Sequence, residues 1–288
     1  GRESMAKECR PSFNEEFQTP AYRPNNETIP CCPKIAFVGD SFCAEFYPEG
    51  YDGNPDGDIF YDERGYKAWT QKIVEHYEAT VVQKGISGDC LFHSYQRLIP
   101  VIDEADLVII CVSEPDRLAN WRTEPMSPWA AERGAGILSG SGNLNPLYKA
   151  SRDYYSQIFS PDFHMISHLG ILRALDDLLI NKNKKSIWFG SFYNSFGDKD
   201  DERLNDITRQ SLPYVVRSGV QGSCPLMKTS ERTHPQIPHS NHFNEQQSNE
   251  FFQYLCGIID NQLFQPGVKQ MDFCCVDAVP CKTFNNAG

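Results

Sequence analysis

A serine, a glycine and a histidine stand at three distant points of the chain, each where a patterned segment meets a turn. Ser41 lies in "KIAFVGDSFCAEF" (34–46), where an apolar run stops at Gly-Asp-Ser. Gly88 lies in "VVQKGISGDC" (81–90), after a second apolar run and just before a helical pattern. His242 lies in "HPQIPHSNHFN" (234–244), with His234 and His239, immediately ahead of the last amphipathic stretch. A serine hydroxyl is a weak nucleophile until a base takes its proton, and a neutral imidazole suits that role near pH 7. Backbone amides at a helix start can receive the negative charge that an attacked carbonyl oxygen acquires. Together the three residues are compatible with acyl transfer. Each also has a plainer reading: Ser41 and His242 as turn or capping residues, and Gly88 as a turn glycine that needs positive φ.

The surrounding elements decide whether such residues can meet. "KIAFVGD" (34–40) predicts a buried parallel strand, and "ATVVQKG" (79–85), "ADLVIICVS" (105–113) and "KSIWFGSF" (185–192) predict three more. Between them, 65–77 places Trp69, Ile73 and Tyr77 on one helical face, and 89–102 does the same with Leu91, Tyr95 and Leu98. Residues 114–150 read as a Gly- and Ser-rich insertion loop, 168–182 as a helix, and 213–218 as a further strand. The last helix is expected over 244–263, with Asn244 as its N-cap and Gln247 at the capping-box position. Alternating strands and helices imply an α/β fold with a central parallel sheet. The predicted organisation is an arm over 1–33, one domain over 34–263 and a Cys-rich tail over 264–288. In such sheets the site lies beyond the carboxyl ends of the strands. Those ends carry Asp40-Ser41, then 84–89, then Ser113 to Asp116.

The 288 residues include 38 acidic and 27 basic side chains, a net charge of −11. That balance argues against nucleic acid or an anionic membrane as partner, since both need clustered Lys and Arg. No run of 18 apolar residues occurs and the start lacks a signal-peptide core, which leaves the location open between the cytoplasm and a larger assembly. Of the 11 cysteines, Cys43, Cys90, Cys111 and Cys256 sit in apolar or helical settings and read as buried thiols. No Cys-x-x-Cys pair occurs, and neither a metal nor another cofactor is expected.

"FVGDSF", "VVQKGISGDC" and "SNHFNEQQSNEFF" (240–252) resemble, in order and spacing, the first, second and fifth blocks of the SGNH/GDSL hydrolases. That family comprises serine esterases, lipases and carbohydrate deacetylases, and the resemblance covers roughly 34–116 and 234–262. It implies a three-layer α/β/α flavodoxin-like sandwich and hydrolysis of a small-molecule or carbohydrate ester, an O-acetyl group among the candidates. Ser41 would be the nucleophile and His242 the general base. The amides of Ser41 and Gly88 would hold the oxyanion, and Asp40 would support the nucleophile turn. Asp89 is expected to cap the following helix through backbone amides. Two positions depart from the family pattern. Pro115 stands where the third block has an asparagine, and proline offers neither a carboxamide nor an N–H. Asn120 is the nearest replacement donor, and Glu114 would repel an oxyanion if it pointed inward. His239 stands where the family has the aspartate of the triad, which leaves a Ser41–His242 dyad with His239 as a supporting group. These departures keep two alternatives open: a binding module that lost its chemistry, and an acyltransferase on the same scaffold.

Overall fold

The computed structural model describes residues 28–44, 67–86, 88–120, 146–222, 225–227, 243 and 245–264. Five strands form one sheet: β1 (Lys34–Gly39), β2 (Thr80–Gln83), β3 (Leu107–Val112), β4 (Lys185–Gly190) and β5 (Val220–Gln221). All neighbours pair in parallel, in the order β2-β1-β3-β4-β5. This is the flavodoxin-like strand order. The helices are α1 (Ser41–Ala44), α2 (Trp69–His76), α3 (Leu91–Leu98), α4 (Pro146–Gln157), α5 (Pro161–Asn181), α6 (Asp206–Arg209) and α7 (Glu245–Asp260).

Every residue of β3 is buried, as a strand covered on both faces requires. The two-residue period of the strands sorts their side chains into two cores. Ile35, Phe37, Ile109, Cys111, Ile187 and Phe189 pack with residues of α2 and α7. Ala36, Val38, Val108, Ile110, Val112 and Trp188 pack with residues of α3 and α5. Trp69 of α2 meets Phe251 of α7 edge-on at 5.0 Å, joining the two helices of the first layer. The result is three layers, α/β/α. No helix among the described residues is long and apolar enough to cross a membrane.

Several element boundaries differ from expectation for local reasons. The helix expected over 168–182 begins at Pro161. Ser160 caps it by accepting the Phe163 amide, and Pro161 occupies the position where no N–H is needed. The polar residues His164 and His168 obscure the apolar pattern of its first turns, although both are buried. Helix α4 likewise starts at Pro146, inside the stretch read as an insertion loop. The strand expected at 213–218 does not form. There the amides of Arg217 and Ser218 donate to the buried carboxylate of Asp176 on α5, at 3.0 and 2.8 Å, instead of to a neighbouring strand. β5 follows two residues later. Helix α7 begins at Glu245, and its expected cap Asn244 lies outside the described residues.

His168 carries a measurable consequence. Its Nε2 lies 2.8 Å from the carbonyl of Ser195, and burial pushes its pKa from 6.5 down to about 4. The unfolded chain therefore takes up this proton first. Stability from the neutral imidazole is complete above 6.5 and is lost as pH falls towards about 4, by about 3 kcal/mol in all. Urea unfolding at about pH 7 and about pH 4.5 should show this loss, and His168→Gln should flatten it. An unchanged slope in the variant would show that other groups carry the acid sensitivity.

Candidate active site

The order β2-β1-β3 reverses direction at β1, so the connections after β1 and β3 leave towards opposite layers and open a crevice between them. Ser41 follows β1 at this crevice, and residues Glu114 to Arg117 follow β3. Ser41 is the first residue of α1 and is 9% exposed.

The turn that holds Ser41 is tightly specified. Gly39 has φ +135°, and a Cβ built there would lie 2.0 Å from the carbonyl oxygen of Cys111 on β3, so only glycine lets the two strands approach. The next residue, Asp40, is fully buried. Its Oδ1 accepts the Phe42 amide at 3.1 Å and the Ser191 hydroxyl at 2.9 Å, which ties the turn to the end of β4. The Cys43 amide donates to the Asp40 carbonyl at 3.1 Å, and the Trp69 indole donates to the Phe42 carbonyl at 2.8 Å.

Gly88 sits in the connection from β2 to α3 with φ +75°, a conformation that favours glycine. The Ile86 amide donates to the Gly39 carbonyl at 3.0 Å, so this turn is fastened to the end of β1. A Cβ on Gly85 would fall 2.4 Å from the Cys43 sulfur, so the two turns are in contact. Among the described residues, neither the Ser41 amide nor the Gly88 amide donates to a protein acceptor.

Asp89 departs from its expected role. Helix α3 is capped at Cys90 without a side-chain bond, and the Asp89 carboxylate instead accepts the Ser94 hydroxyl at 2.7 Å and the Arg97 guanidinium, with His93 Nδ1 at 3.2 Å. The carboxylate serves side chains one and two turns along the helix. Asp89, Cys90 and His93 also bring ligand-type atoms within 4.8 Å of one another. Arg97 already neutralises the carboxylate, and burial raises the Cys90 thiol to about 11, which disfavours the thiolate a cation would need.

After β3, the Pro115 carbonyl meets His164 Nδ1 at 3.2 Å, while the Tyr154 hydroxyl meets Nε2 at 2.6 Å. These partners assign the proton to Nδ1. The main chain of Asn120 meets His93, its carbonyl oxygen 3.1 Å from Nε2. Glu114 turns to Arg117, which donates from Nε at 3.2 Å; burial pushes the Glu114 carboxyl up and the guanidinium draws it down.

His242 and His239 lie outside the described residues. The next residue in the chain, Phe243, is described: it is 2% exposed and packs edge-on against Phe42 at 5.7 Å and Phe251 at 5.3 Å. Arg117, Ser191 and Gly85 were not singled out by sequence reasoning. Arg117 lies in a loop pattern and Gly85 and Ser191 stand at the ends of expected strands, and only the approach of separate strand ends gives each a role.

No family model matches the sequence, and no curated protein matches it. Solved structures do resemble it. The psychrotrophic esterase EstA from Pseudoalteromonas sp. is 13% identical, with a TM-score of 0.38 over 80% of this chain and 98% of that one. A protein described as a GDSL-like lipase, from Parabacteroides merdae, is 12% identical, with a TM-score of 0.41 over 82% of this chain and 99% of that one. An acetyl xylan esterase from Geobacillus stearothermophilus is 16% identical, with a TM-score of 0.30 over 83% and 89%.

Proposed function

We propose that the protein is a serine hydrolase that cleaves carboxylic esters. Ser41 attacks the acyl carbon while His242 takes the hydroxyl proton, and the oxyanion is held by the amides of Ser41 and Gly88. His242 then returns the proton to the departing alcohol, and a water molecule activated by the same base releases the acid. The observation that carries this reading is the pair of uncommitted amides beside a serine at the β1/β3 crevice. Backbone donors fixed in turns that need glycine at 39 and 88 cost little reorganisation when charge develops. Support for His242 comes from its neighbour: Phe243 packs on Phe42, which directly follows Ser41. With Ser41 only 9% exposed, a small acyl group such as acetyl suits the site, and carbohydrate O-acetyl esters are the first substrates to try.

The test is direct. A fluorophosphonate probe should form one adduct, mapped by peptide mass to Ser41, and the protein should turn over p-nitrophenyl acetate. His242→Gln should lower kcat by about 10³-fold or more. Neither adduct nor turnover over about pH 6 to 9 would indicate a binding module on this fold. Product that shifts from acid to ester on adding an alcohol would indicate acyl transfer.

A further inference from the structure

Arg117 is the only lysine or arginine that is buried among the described residues, at 9% exposure. Its guanidinium reaches three separate strand ends. Nη2 lies 3.6 Å from Asp40 Oδ2 after β1. Nη1 donates to the Asp89 carbonyl at 2.9 Å, in the turn that carries Gly88. Nε donates to Glu114 after β3 at 3.2 Å. Its Cζ lies over the Phe192 ring, 4.9 Å from the centroid, and Phe192 in turn meets Phe42 at 6.2 Å. A planar fork with several fixed donors can join three loops in this way, and a lysine ammonium cannot.

We propose that Arg117 is the positioning residue of this crevice, holding the Ser41 and Gly88 turns in register and offsetting the carboxylates that surround the nucleophile. The inference rests on the reading of Ser41 as nucleophile. Asp40 precedes Ser41 directly and Glu114 lies on the facing loop. A negative charge growing at Ser41 and its acyl group meets both of them in a site where water screens little. One buried cation between the two carboxylates removes most of that opposition. Among the described residues, the charged and titratable groups around it are Asp40 after β1, Asp89, Cys90 and His93 after β2, Glu114 and Asp116 after β3, and Tyr155 on α4, whose hydroxyl donates to the Asp116 carbonyl at 2.7 Å. Asp116 is itself paired with Arg203 at 2.9 Å, while Arg117 faces Asp40 and Glu114.

The experiment compares Arg117→Met, Arg117→Lys and Glu114→Gln with wild type, using p-nitrophenyl acetate. Arg117→Met should lower kcat roughly 10²-fold with KM changed less than about threefold, and Arg117→Lys should recover part of the loss. Loss of the cation also favours the protonated base, so the rising limb of the pH–rate profile should move to higher pH. Glu114→Gln, at a half-buried carboxylate whose loss the fold tolerates better, should move that limb to lower pH. Wild-type kcat in Arg117→Met, or an unmoved limb in Glu114→Gln, would overturn the proposal while leaving fluorophosphonate labelling of Ser41 intact. An unlabelled wild-type Ser41 would remove the hydrolase reading and this inference together.

Discussion

Replacing Ser41 by alanine is expected to lower kcat on p-nitrophenyl acetate by at least about 10⁴-fold and to abolish fluorophosphonate labelling. The reason is chemical: under the proposed mechanism the side chain that would form the covalent bond is gone, while the amides that would hold the oxyanion remain. Among the described residues the turn is held by Asp40, Cys43 and Trp69 rather than by the Ser41 side chain. The melting temperature should therefore stay near that of wild type, the loss of a helix-start hydroxyl costing about 1 kcal/mol at most. Turnover that survives at about a tenth of wild type or more would place the nucleophile elsewhere.

Gly39→Ala should produce the largest loss of stability among single-atom additions near the site. The new Cβ would meet the Cys111 carbonyl oxygen at 2.0 Å, and the φ of +135° is one that L residues rarely adopt. Neither partner can step aside, since Gly39 pairs with Cys111 in the centre of the sheet. Steric and backbone strain together should cost about 3 kcal/mol or more, read from urea unfolding. Gly170→Ala is the control. It lies within α5, a Cβ there meets nothing within 4 Å, and the change should be neutral or stabilising by up to about 1 kcal/mol. Equal effects in the two variants would mean that the close approach of β1 and β3 is not what makes Gly39 necessary. Even a folded Gly39→Ala should be poorly active, because Ser41 stands two residues beyond the displaced backbone.

Much of the architecture was legible in the chain because strands and helices bury faces with fixed periods. The unbroken run "LVIICV" could only be a strand covered on both sides, and Trp69 with Ile73 marked the inward face of α2. Where polar side chains are buried the pattern misleads. His164 and His168 hid the start of α5, and Asp176 drew the backbone at Arg217 and Ser218 away from a strand. Segment edges of this kind depend on partners tens of residues away, which no local period records.

The same division runs through the site. Residue types and their places at strand ends singled out Ser41 and Gly88, because a parallel sheet gathers its carboxyl ends in one crevice. Tertiary structure alone decided what surrounds them. It turned the Asp89 carboxylate to Ser94, Arg97 and His93 rather than to backbone amides, and set Ser191, just after β4, against Asp40. It also drew Arg117 under three loops at once. Sequence determined which chemistry-bearing residues stand at the ends of elements, since that follows from local pattern. The contacts between those ends span up to 151 positions along the chain, from Asp40 to Ser191, and only packing of the whole sheet brings such groups within hydrogen-bond reach.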